Sequence, residues 1–360
     1  MTVKTRYFVI VSLLVVFVGL GTGLVAYYVG FPTSAFYNGS GPDELRYLPS
    51  TASAIGYVEV REIMASDLRQ RLRQMVGTQA QDESKREFQE LTGINFETDI
   101  ERIVACFDAT GLSGANGNSG LVLARGLFDD VKIEALMREH GAHVQDYKGK
   151  RLIVVDHFGA GDFKNGNPND RPDSSDNTPN RHPAVNSSFT LAFVEPGLVA
   201  FGGSTLVQHA IDLHTGGGES AATNEEIVSH VRTLAGGNAW LLGRMDVLRA
   251  RAQLPDVVAN QLPPITWFSF RGRVDGGLQA RLSAEARDDE SANMLRDVVR
   301  GFLALAKLQT SSKPEFQHFI QTLQLGGTGK TVSLSLDVPV QLFDALGAMM
   351  PKRPKEQAPQ

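Results

Sequence analysis

The stretch ITWFSFRGRVDGGLQARLSAEA, residues 265–286, decides the architecture of this chain. In its second half Leu278, Ala280, Leu282, Ala284 and Ala286 alternate with Gln279, Arg281, Ser283 and Glu285. Successive strand side chains point to opposite faces, so a period of two reads as a half-buried antiparallel strand. Asp275-Gly276-Gly277 supplies the turn, and Ile265 to Val274 is the returning partner. Thr331 to Val338 repeats the pattern, with Val332, Leu334, Leu336 and Val338 set against Ser333, Ser335 and Asp337.

Working outward, a long helix is expected over 288–308 and a last one over 340–349. Upstream, Ala54 to Val60 reads as a strand, and Ile63, Met64, Leu68, Leu72, Met75 and Val76 follow at helical spacing. Strands are expected over 102–109 and 119–127, then a helix over 129–140 opened by Asp129 and stopped by Gly141. Hairpins turn at Lys148-Gly149-Lys150 and at Pro196-Gly197, and a helix runs from Ser204 to His214. Residues 159–187 are rich in Gly, Asn, Asp, Pro and Ser, and are too polar to offset their ordering entropy, so they read as a mobile insertion.

The two halves share an order of strand, helices, strand, strand, helix, hairpin. Asp129-Asp130 and Asp288-Asp289 open the later helix in each, and Gly149-Lys150-Arg151-Leu152 matches Gly329-Lys330-Thr331-Val332 in place. The expected fold class is α+β: an N-terminal transmembrane helix followed by two similar modules of antiparallel sheet packed with helices. The first module spans 45–235 with its insertion, the second 236–350, and a disordered tail follows over 351–360.

The anchor is read from charge. From Tyr7 to Gly30 there is no charged residue, and the next after Arg6 is Asp43. Such a run, helical at about 1.5 Å per residue, is long enough to cross a bilayer core. Lys4 and Arg6 before it keep residues 1–6 cytoplasmic, and Tyr27, Tyr28 and Phe31 suit the outer interface. The tether 31–44 and the body then lie outside the cytoplasm. A cleaved signal peptide is the competing reading, but its apolar region is shorter and Val25-Ala26-Tyr27 is a poor cleavage site. Gly19 and Gly23, spaced Gly-x-x-x-Gly, are the candidate contact for a homodimer through the anchor.

Leu48-Pro49, Ala54-Ile55-Gly56-Tyr57-Val58, and Leu91-Thr92-Gly93-Ile94-Asn95 leading into Thr98-Asp99-Ile100 form a loose pattern. With it the chain resembles a broad group of uncharacterised bacterial envelope proteins, which have an N-terminal anchor and a duplicated extracytoplasmic α+β region. The resemblance implies a bacterial inner membrane setting and carries no catalytic residues.

No motif names a chemistry. The net charge is −5, so the basic footprint of a nucleic-acid binder is absent. The one cysteine, Cys106, lies in an apolar run and reads as a small buried hydrophobe. Gly326-Gly327-Thr328-Gly329-Lys330-Thr331 has Gln324 where a phosphate loop needs glycine, and a strand follows where a helix is needed. Gly111-Leu112-Ser113-Gly114-Ala115 misses the nucleophile elbow. His209 and His214 are five apart on one helix, His140 and His143 straddle a helix stop, and Asp170, Asp173 and Asp176 lack calcium-loop spacing. No catalytic, cofactor-binding or metal residue is assigned, and no cofactor is expected. Trp240, Trp267, Phe268 and Phe270 are assigned to core packing. The favoured function is a non-enzymatic binding or scaffolding module for a protein or envelope-component partner. The alternatives are a lipid or apolar-ligand binder between the modules, and an enzyme whose site gathers residues distant in sequence.

Overall fold

A computed structural model describes residues 41–76, 89, 93–108, 120–139, 141–155, 189–245, 263–309 and 320–340. The anchor 7–30 with Gly19 and Gly23, the insertion 159–187, the last helix 340–349 and the tail lie outside the described residues, apart from Val340. Among the described residues, no helix is long and apolar enough to cross a membrane.

Two separate modules are not what forms. Among the described residues twelve strands join in one antiparallel sheet, ordered β11-β12-β10-β9-β8-β1-β2-β3-β7-β6-β5-β4. They are β1 (Ala54–Val58), β2 (Ile100–Phe107), β3 (Gly120–Gly126), β4 (His143–Tyr147), β5 (Lys150–Val155), β6 (Phe189–Glu195), β7 (Leu198–Gly202), β8 (Ala239–Arg244), β9 (Ile265–Val274), β10 (Gly277–Ala286), β11 (Gln324–Gly326) and β12 (Thr331–Pro339). The halves meet where β1 pairs with β8, from Ala54 opposite Gly243 to Val58 opposite Ala239. Two closed modules would leave both strands as unpaired edges, and pairing them satisfies both rows of backbone groups. Tyr57 stacks on Trp240 across this seam, ring centroids 5.3 Å apart. Trp240, Leu242 and Trp267 join the main core with Leu45, Ile55, Leu121 and Leu206, so the core crosses the expected boundary too.

Among the described residues six α-helices flank the sheet: α1 (Val60–Ala65), α2 (Asp67–Val76), α3 (Asp130–Glu139), α4 (Ser204–His214), α5 (Glu225–Thr233) and α6 (Asp289–Gln309). The single helix expected over 63–76 breaks at Ser66, whose hydroxyl donates to Ile63 O and accepts from Arg69 N–H. Helix α5 escapes the hydrophobic-period reading because it is short, but Asn224 caps it through Glu226 N–H and Ile227 N–H.

On one face, here the front, α4 and α5 lay Leu206, Val207, Ala210, Ile211, Ile227 and Val231 over β1–β8. On the back, α6 packs Ala292, Leu295 and Val299 against Ala284, Ala286, Val332 and Leu325. In front of β9–β12 the described residues place only the edge of α5.

Candidate functional site

That uncovered front is a trough, and the strand register builds it row by row. Arg271 of β9 faces Arg281 of β10, which faces Ser335 of β12, which faces Gln324 of β11. The next row is Ser269, Ser283, Ser333 and Gly326. Beyond it lie Trp267, Glu285 and Thr331, and on the other side Arg273, Gln279 and Asp337. Apart from Trp267 and Gly326, these are the polar partners in the alternation that sends Phe268, Phe270, Leu282 and Leu334 to the back. Two depressions, of about 580 and 340 Å³, share the row of Arg271, Arg281, Ser335 and Gln324 and so form one trough. Ser229, His230 and Thr233 of α5 line one wall, and Gly326-Gly327-Thr328 the other.

The arginine row stands out electrostatically. Like charges directly opposite on neighbouring strands are destabilising, yet Arg271 and Arg281 face each other. Arg271 donates to Ala235 O at 3.1 Å and Arg281 to Ser335 Oγ at 3.1 Å. Among the described residues neither has a carboxylate partner, whereas Arg273 pairs with Asp275 at 3.0 Å. Burial, then the charges of Arg281 and Arg273, push the Arg271 guanidinium below its ordinary pKa. The smaller depression thus has three guanidiniums against one carboxylate, Asp337, on a protein of net charge −5.

At the far end, His230 Nε2 lies 3.8 Å from Glu285 and its ring 4.7 Å from that of Trp267, whose N–H donates to Glu226 at 2.7 Å. None of the trough serines hydrogen-bonds His230 among the described residues, so Ser, His and Glu share the trough without forming a nucleophile–base pair.

A second polar cluster lies inside the covered half. Glu44 is fully buried and pairs with Arg125. Arg125 also reaches Glu195 at 2.8 Å, and Tyr47 donates to the other Glu195 oxygen at 2.8 Å. Arg102 stands 3.9 Å from Glu44. Burial alone would lower the pKa of Arg102, but the Glu44 charge keeps it above the ordinary range. This cluster ties the 3-10 turn Asp43–Tyr47 to β2, β3 and β6, and among the described residues Glu44 Oε2 and Arg102 Nε are left in it without a hydrogen-bond partner.

The residues weighed in the sequence fall elsewhere. Gly329 has φ 54° and Lys330 leads into β12, so this segment is a hairpin turn; Arg296 of α6 holds it by donating to Gly329 O at 2.6 Å and Thr331 O at 3.1 Å. Lys148 and Gly149, at φ 50° and 76°, make the corresponding tight turn. Cys106 is buried, and burial with the nearby Asp108 charge pushes its thiol up to about 12. His209 and His214 are on α4, and His143 is exposed on β4. Among the described residues no three His, Cys, Asp or Glu gather as a metal site. His140, Ser113, Asp170, Asp173 and Asp176 lie outside the described residues. Trp240 and Trp267 are buried in the core, while Phe268 and Phe270 are half-buried on the back.

The trough residues were in view in the sequence only as a solvated face. The turn at Asp275-Gly276-Gly277 fixes the register, and carrying it along the strands places Arg271 opposite Arg281. What the register does not reveal is that α5 stands beside this face as a wall.

No family model matches the chain, and no curated protein does. Among solved structures, crystal form III of TP0453 is similar at 8% identity and a TM-score of 0.44, over 86% of this chain and 99% of that one. Crystal form I of TP0453 aligns at 10% identity and a TM-score of 0.39, over 85% and 97%. Crystal form IV aligns at 9% and 0.39, over 87% and 99%. At such TM-scores the likeness carries nothing about function.

Proposed function

We propose that this protein is a non-enzymatic binding module, tethered by its N-terminal helix to a bacterial inner membrane with the body outside the cytoplasm, and that the trough is where it grips an envelope partner. The observation that carries the reading is a sheet face that the described residues leave open over four strands, lined by hydroxyls and guanidiniums and walled by α5. A face meant only for water has no use for opposed arginines. Catalysis is less well supported, because among the described residues no nucleophile hydrogen-bonds the His230 ring in the trough. A lipid held between halves is less well supported because the seam is a continuous ladder of strand pairing.

Two measurements test this in cells. Protease added to spheroplasts is expected to digest the body, and protection of the body overturns the orientation. A photo-crosslinking residue at Thr331, exposed on the trough rim, is expected to give a discrete adduct, while one at Val131, exposed on α3, gives none. Equal labelling from both positions overturns the assignment of the trough.

A further inference from the structure

We infer that the row of Arg271, Arg281, Ser335 and Gln324 is a binding site for a phosphate group. The inference deepens the reading of the trough as the ligand site and rests on it. Its basis is the opposed arginine pair. In a free sheet this pairing is a standing repulsion, and a dianionic group seated between the two forks turns it into attraction. Each guanidinium is already held by one protein acceptor, Ala235 O for Arg271 and Ser335 Oγ for Arg281. Both are therefore oriented before a ligand arrives, which lowers the ordering cost of binding.

Phosphate fits this row better than carboxylate for a geometric reason. A carboxylate has two oxygens and is filled by one arginine fork. A tetrahedral group presents three oxygens and up to two charges, enough for two forks plus the neutral donors of Ser335 and Gln324. The adjoining depression of about 340 Å³ has room for such a group and for what it is attached to. The row of Ser269, Ser283 and Ser333 beside it offers hydroxyls to the remainder of the ligand. Glu285 and Asp337 stand at opposite ends, so an anion is favoured at the arginine row and disfavoured at either margin.

The test uses the full chain in a neutral maltoside detergent, at about 20 mM salt in a Tris buffer, where surface charge is little screened. Titration calorimetry is run with inorganic phosphate, with submicellar dihexanoyl phosphatidic acid, whose headgroup is a phosphomonoester, and with acetate. Saturable binding of phosphate, of the lipid or of both, with acetate much weaker, supports the inference; the first names a free or small-molecule phosphate, the second a lipid headgroup. Arg281→Gln is expected to weaken that binding roughly tenfold or more, since a charge-assisted hydrogen bond is lost. Arg281→Lys keeps the charge and loses the fork, so it falls between. Lys330→Gln removes the same charge outside the trough and leaves binding within about twofold. Near-ultraviolet circular dichroism checks that each variant is folded. No binding of either phosphate probe up to about 10 mM, acetate binding as tightly as phosphate, or an unchanged affinity in Arg281→Gln each overturns the inference. If the Thr331 crosslink persists while phosphate fails, the site stands and its ligand chemistry is wrong; if both fail, the underlying reading falls with it.

Discussion

The same face of the same sheet is built in two ways. Over β1–β8 it carries Ile55, Tyr57, Val104, Leu121, Leu123, Ala192 and Ala200, and α4 and α5 close over it. Over β9–β12 it carries Ser269, Arg271, Arg281, Ser283, Ser333 and Ser335, and no described helix closes over it. Backbone pairing continues unbroken through both. The difference therefore lies in which side chains the shared period of two directs forward, and it teaches that the covered half holds the fold together while the open half is available for binding.

The sharpest way to break this contrast is the buried ion cluster of the covered half. Arg125→Ala leaves Glu44 buried beside only a distant Arg102, and an uncompensated buried charge is expected to cost about 3–5 kcal/mol. Urea unfolding measures it; a loss under about 1 kcal/mol would show that water reaches Glu44 and that the half is less closed than described.

Packing comes next. Leu206 of α4 is fully buried, and Leu206→Ala is expected to cost about 2–5 kcal/mol through the cavity it leaves. Ser283→Ala in the trough is expected to stay within about 0.5 kcal/mol. Comparable losses at both positions would abolish the distinction between the two halves.

A turn tests the open half from its rim. Gly329 adopts φ 54°, so Gly329→Val is expected to cost about 1–3 kcal/mol through backbone strain. Its neighbour Lys330 lies in the same turn, and Lys330→Ala is expected to change stability by less than about 0.5 kcal/mol. A titration with ATP and Mg²⁺ should show no micromolar affinity that depends on Lys330.

The smallest effect is acid sensitivity. Burial would raise the Glu195 pKa, but hydrogen bonds from Arg125 and Tyr47 and the charges of Arg125 and Arg46 outweigh it and hold the carboxyl below its usual 4.5. A depressed folded pKa means that the folded protein binds fewer protons than the unfolded chain. The stabilisation is then present above pH 4.5 and is lost as pH falls through the folded value. Midpoints of urea unfolding between pH 6 and 3 should show this loss, with a flatter profile in Glu195→Gln. An equal slope in the variant would assign the acid transition to other carboxylates.

Local alternation and turn chemistry were enough, from the sequence, to locate β9, β10 and β12, the hairpins at Lys148-Gly149 and Pro196-Gly197, the helices α3, α4 and α6, and the turn at Gly329, because these depend on neighbours within a few residues. The period of two also assigned Arg281, Ser283, Ser333 and Ser335 to one face. The strands β1, β2 and β3 were located from the sequence as well, and tertiary structure alone decided how the two halves join and what stands beside the trough. Joining β1 to β8 depends on two strand edges more than 180 residues apart finding each other, and both edges have the same period and the same hydrogen-bonding groups whether free or paired. The trough depends on that join, since the seam lets α5, which covers the first half, stand beside β9 as a wall. A polar strand face reads identically in sequence whether water or a helix lies across from it, because alternation records the direction of a side chain and not what stands opposite.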